Sequence, residues 1–119
     1  MRLRTGIWLG LIIAFLTLAF FAATALAAGT EECRRECEAT YADDLAACAD
    51  AFAQASADID AQYQACVDSA QTFFDRLRCL VERESAMEQA KLDRQRCEHA
   101  AENDLAQCLL DCETSPATP

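Results

Sequence analysis

The chain has 119 residues, 53% of them hydrophobic, with eight cysteines, one histidine and a formal net charge of −10. That length suits one small domain. Arg2 and Arg4 lie at the extreme N-terminus, so residues 31–115 set all 20 acidic side chains against the remaining eight basic ones, a balance that repels nucleic acid and anionic membrane surfaces.

Arg2 and Arg4 precede an apolar run from Ile7 to Ala28, interrupted by Gly10, Thr17 and Thr24. Ala25-Leu26-Ala27 has the small side chains of a signal-peptidase site, which places a cut after Ala27. The run is also long enough to span a bilayer. Residues 1–27 therefore read either as a cleaved signal peptide or as a retained N-terminal membrane anchor, in which case Trp8 sits at the membrane interface. Either outcome exports the remainder, because the positive end stays inside. Thr30-Glu31-Glu32 ahead of Cys33 does not form a lipoprotein box. The only membrane contact expected is through residues 7–28, if they are not removed.

Thr30 has the chemistry of an N-cap, with Glu31 and Glu32 suited to a first helical turn. Residues 31–115 contain neither glycine nor proline and are rich in Ala, Glu, Asp, Gln and Leu, which predicts long helices. At about 100° per residue, Cys33, Cys37, Cys48 and Cys66 fall on one stripe, flanked by Tyr41, Leu45, Phe52, Ile59 and Tyr63. Glu32, Glu36, Asp43, Asp50, Asp58 and Asp68 take the opposite side. The first arm is expected at about 31–69. A short turn follows at about 69–73, where Thr72 and Asp75 are placed as a capping box with Asp in the usual Glu position. The second arm, about 73–113, carries Leu80, Met87, Ala90, Ala101, Leu105 and Leu109 around its cysteines. Glu113-Thr114-Ser115-Pro116 ends it, and 116–119 is expected to be a disordered tail.

The cysteines relate the arms to each other. They stand at 33, 37, 48, 66, 79, 97, 108 and 112, with steps of 4, 11, 18, 13, 18, 11 and 4, a palindrome. Paired from the outside inward, Cys33–Cys112, Cys37–Cys108, Cys48–Cys97 and Cys66–Cys79 each sum to 145. Steps of 4, 11 and 18 return a helical side chain to within about 40° of its start, whereas the central step of 13 lands about 140° away. A hairpin turn at the centre removes that conflict. Helix axes at packing distance bring inward-facing Cα atoms to about 4–6 Å, within the disulfide range. Close approach needs small neighbours, for which Ala46, Ala47, Ala49, Ala65 and Ala106 are the candidates. The expected fold is all-α: an antiparallel two-helix hairpin stapled by four nested disulfides, in a domain spanning 28–115 and preceded by the apolar N-terminal helix. An antiparallel or swapped dimer making the same pairings between chains is the assembly alternative.

Shifting the mirror sum to 146 sets Tyr41 against Leu105, Leu45 against Ala101 and Ile59 against Met87. It also sets Phe52 against Arg94 and Tyr63 against Arg83, where the arginines are expected to lie along the rings as cation–π contacts.

Eight cysteines in a short domain imply an oxidising compartment, periplasmic or extracellular. There is no C-x-x-C for a thioredoxin-like role and no C-x-x-C-H for haem attachment. His99 falls off the cysteine stripe, at a solvated position. Ser56, Ser69 and Ser85 lack a placed base, and the carboxylates are spread along exposed faces. No catalytic residues and no cofactor are expected, so the chain reads as a non-enzyme.

The two C-x3-C motifs, Cys33/Cys37 and Cys108/Cys112, paired outer to outer and inner to inner, resemble the twin C-x3-C arrangement of small chaperones of the mitochondrial intermembrane space. The outline is also similar to that of plant α-hairpinin peptides. The likeness covers four cysteines and the hairpin topology; here two extra rungs intervene and an export segment precedes them. It implies architecture and carries no functional residue across.

The function expected is therefore that of an exported structural or interaction protein, a rigid acidic hairpin that presents a surface to a protein partner or to a second copy. Phe74, Val81, Leu92 and Leu110 lie off the seam and are the candidate partner-binding residues. The alternative is soft-metal handling, with Cys33, Cys37, Cys48, Cys66, Cys79, Cys97, Cys108 and Cys112 binding Cu(I) as inward-facing thiolates, broadly similar to bacterial copper-storage bundles.

Overall fold

A computed structural model describes residues 29–115 in full and residues 3–28 by their backbone alone. The expected N-terminal apolar segment, its cleavage or retention, and the expected disordered tail at 116–119 lie outside the fully described residues. Among residues 29–115, no helix is long and apolar enough to cross a membrane.

Two helices make up the fold, α1 at Leu3–Ser69 and α2 at Phe73–Thr114. Their length follows from composition: no helix breaker stands between Thr30 and Pro116. One expectation fails here. α1 passes through Gly29 and Thr30 without a break, so Thr30 lies inside the helix and does not cap its start. A single glycine is tolerated within a helix, and Ala-rich sequence precedes it.

The helices end where the capping chemistry says they should. The Ala70 N–H donates to the Val67 carbonyl at 3.1 Å and the Ser69 hydroxyl to the Cys66 carbonyl at 3.1 Å, closing α1. At the start of α2 the Thr72 N–H donates to an Asp75 carboxylate oxygen at 3.1 Å, and the Asp75 N–H donates to the Thr72 hydroxyl at 3.2 Å. This reciprocal pair satisfies two backbone donors that a helix start leaves unpaired. Among the described residues no backbone φ is positive, so the reversal needs no left-handed residue and hence no glycine. The same hydrogen bonds, first the Thr72 side chain and then its backbone N–H, hold the Asp75 carboxyl below the usual carboxylate range.

The chain divides into two compact units. One comprises Glu38–Gln107: the end of α1, the turn and most of α2, a helical hairpin closed by Cys48–Cys97 and Cys66–Cys79. The other comprises Met1–Cys37 with Cys108–Pro119 and contains Cys33–Cys112 and Cys37–Cys108.

The core is thin. Its buried members are Cys37, Cys48, Cys79, Cys112, Ala90 and Ala101, and no large side chain is fully buried among the described residues. Two helices bury one stripe each, which is little apolar area for a domain of this size. Covalent crosslinks compensate by restricting the unfolded chain, each typically worth about 2–4 kcal/mol.

The alanines that permit close approach are not those expected. Ala46, Ala47, Ala49, Ala65 and Ala106 are exposed, whereas Ala90 and Ala101 are buried and Ala55 and Ala86 half-buried. The reason is helical phase. A residue next to, or two from, a cysteine is rotated about 100–200° off the seam, whereas one four or seven away returns to it. Ala55 and Ala86 lie seven after Cys48 and Cys79; Ala90 and Ala101 lie seven before and four after Cys97.

Candidate functional site

Each disulfide is a contact between one residue of α1 and one of α2, and in all four the Cα atoms stand 5.8 Å apart. The distance falls within the disulfide range and corresponds to two helices whose cysteine stripes face each other. The structure thus brings together Cys33 and Cys112, Cys37 and Cys108, Cys48 and Cys97, and Cys66 and Cys79. Among the described residues no cysteine is free. The Cu(I) alternative calls for thiolates, and in this oxidised form all eight sulfurs are covalently paired. Closest to a ligand cluster are Cys33, Cys37 and Cys112, whose sulfurs lie within 4.8 Å of one another.

Two cation–π contacts join the helices of the Glu38–Gln107 unit. The Arg83 guanidinium carbon lies 5.1 Å from the centre of the Tyr63 ring, and that of Arg94 lies 5.2 Å from the centre of the Phe52 ring. Each guanidinium thus sits over an aromatic face while also reaching an acid. Arg83 Nη2 is 2.8 Å from Asp60 across the hairpin; Arg94 Nε donates to Glu98 at 2.7 Å along its own helix. The Asp60 hydrogen bond and charge raise the Arg83 pKa further. Tyr41, Leu45, Ile59, Met87 and Leu105 are half-buried along the same seam.

The hairpin also has a concavity that its sequence did not suggest. A groove of about 440 Å³ opens beside the Cys48–Cys97 bond, floored by Phe52, Ala55, Ile59, Ala86 and Ala90. It exists because four small residues stand where larger ones would fill the seam (Ala51, Ala55, Ala86 and Ala90). Asp93, Arg94 and Gln89 form its polar edge, which does not pair two carboxylates for acid–base work.

The candidate partner-binding residues Phe74, Val81, Leu92 and Leu110 are all exposed. Phe73, Leu77 and Leu80 are exposed with them. Leu80 is a departure from expectation, since it was assigned to the stripe around Cys79. It follows directly on Cys79 and is rotated about 100° from it, away from the stripe that faces α1. Phe73 and Phe74 meet edge to face with ring centres 5.9 Å apart, so the two rings contact each other while remaining exposed. His99 is exposed and 3.3 Å from Glu102 on the same helix face.

No protein-family model matches the chain, and no curated protein or solved structure matches it either.

Proposed function

We propose that the protein is a non-enzymatic interaction protein of an oxidising, extracytoplasmic compartment, a disulfide-stapled acidic hairpin that presents the outer face of α2 to a protein partner or a second copy. One observation carries the reading. Among residues 29–115 the exposed large hydrophobic residues, Phe73, Phe74, Leu77, Leu80, Val81, Leu92 and Leu110, all belong to α2, with Phe73 and Phe74 at 73% and 76% exposure. A scatter of exposed apolar side chains is ordinary, but confinement, among residues 29–115, to one of the two arms, with two adjacent aromatics, is the pattern of a contact surface. The four disulfides support the compartment and supply rigidity, so that the face is presented without an ordering cost on binding.

A photo-crosslinker placed at Phe74 in oxidised full-length protein tests the proposal against one placed at Asp58. Crosslinks to a partner or a second copy are expected from position 74 and not from position 58. A protein that sediments as a monomer at all concentrations and gives no adduct in its native compartment from position 74 would remove the reading.

A further inference from the structure

Two of the four disulfides are neighbours. Cys33 and Cys37 are four residues apart on α1, and Cys108 and Cys112 four apart on α2, so the two bonds lie one helical turn from each other. The Cys48–Cys97 and Cys66–Cys79 bonds are separated from their neighbours by at least 11 residues on each helix and have no such companion. Within the pair, the sulfurs of Cys37 and Cys112 approach to 3.6 Å although they belong to different bonds. Both are disulfide sulfurs without a proton, so this is a sulfur–sulfur contact rather than a hydrogen bond.

Burial divides each bond in the same way. Cys37 and Cys112 are buried, at 2% and 6% exposure, whereas Cys33 and Cys108 are half-exposed. Each disulfide therefore joins a half-exposed outer cysteine, the side from which a solution thiol approaches, to a buried inner cysteine whose sulfur touches that of the other bond.

We propose that this pair is a thiol–disulfide exchange site for thiol substrates, in which reduction from either side converges on one buried Cys37–Cys112 bond. A small-molecule monothiol supplies the electrons. Its thiolate attacks the Cys33 sulfur; a mixed disulfide forms, the Cys33–Cys112 bond breaks, and Cys112 leaves as a thiolate. That thiolate stands against Cys37 and attacks it. The Cys37–Cys112 bond forms, the Cys37–Cys108 bond breaks, and Cys108 leaves as a thiolate that takes a proton from water. A second monothiol, as its thiolate, attacks the first monothiol's sulfur in the mixed disulfide; Cys33 leaves and is protonated to a thiol, and the two substrate molecules depart as one disulfide. In sum, two thiols are oxidised to one disulfide, and two protein disulfides become one disulfide and two protein thiols. Entry at Cys108 instead expels Cys37, which attacks Cys112 and expels Cys33; the product is the same. The unit accepts two electrons, keeps a covalent link between its helices, and displays the outer thiols Cys33 and Cys108. Inner thiols that emerge in contact with the next target need no diffusion to reach it, which favours exchange over simple loss of one bond. This site does not depend on the α2 contact surface.

Oxidised full-length protein is poised in glutathione buffers of increasing reducing strength, quenched in acid and alkylated, and its bonds are mapped by mass spectrometry. Trypsin cleaves at Arg34 and Arg35 and Asp-N before Asp111, so the four cysteines fall on separate peptides. The expected two-electron product has Cys33 and Cys108 alkylated and Cys37 bonded to Cys112. Products with Cys33 and Cys112 alkylated, or Cys37 and Cys108 alkylated, in place of it would overturn the proposal. As a second arm, C33S/C108S is expected to close the Cys37–Cys112 bond under oxidised glutathione with helicity unchanged by circular dichroism. Persistent alkylation of both thiols in that helical variant also counts against it. Should the variant fail to fold, the wild-type map decides alone.

Discussion

Arg94 lies over the Phe52 ring at 5.2 Å while its Nε donates to Glu98 at 2.7 Å. The first contact crosses from α2 to α1 and the second stays within α2. A double-mutant cycle on Phe52→Leu and Arg94→Gln should report a coupling of about 0.5 kcal/mol, the low end for a cation over a ring, because the guanidinium is partly solvated. The cycle is read by urea denaturation of the oxidised protein. Repeating it with Glu98→Gln should leave the coupling in place, since an exposed ion pair within one helix contributes little.

The disulfides close chain separations of 79, 71, 49 and 13 residues from the outermost rung to the innermost. Taken as independent loops, the longest would stabilise most. They are nested, however, so with Cys37–Cys108 in place Cys33–Cys112 closes only the short segments beyond it. C33S/C112S should therefore cost least, below about 2 kcal/mol, and C48S/C97S should cost more, about 2–4 kcal/mol. Thermal denaturation ranks the variants; a greater loss from the outermost pair would show that the rungs act independently.

Asp75 gives the turn a pH dependence. Its folded-state pKa is depressed by Thr72, so the stabilisation is fully present above the unfolded carboxylate value of about 3.9 and is lost as pH falls through the folded value. The protection of the Phe73 to Leu77 amides, their exchange relative to the intrinsic rate at each pH, should thus be full at neutral pH and fall below about pH 4. Asp75→Asn should exchange faster at neutral pH and lose most of that acid response.

Ala101 and Ala90 are buried at the seam, and Ala46 is exposed. Ala101→Leu should overpack it and cost about 1–3 kcal/mol, whereas Ala46→Leu should change stability by less than about 0.5 kcal/mol. Equal effects at the two sites, measured by urea denaturation, would mean that the alanine neighbours of the cysteines matter as much as those a turn or two away.

The two helices, the four crosslinks and the turn between Ser69 and Phe73 were legible in the order of residues. A disulfide demands that two side chains meet, and a helix repeats its direction at steps of 4, 11 and 18, so a palindrome of cysteine steps leaves few arrangements. Thr72 and Asp75 announced the helix start through local chemistry alone. What the tertiary structure decided is finer: that Ala55, Ala86, Ala90 and Ala101 lie at the seam and the first three of them line a groove, that the exposed large apolar residues among 29–115 gather on α2, and that the Cys37 sulfur touches that of Cys112. These depend on how far each helix is rotated about its own axis when the two meet. Spacing constrains that rotation only to within tens of degrees, and the packing of side chains against the facing helix sets the remainder.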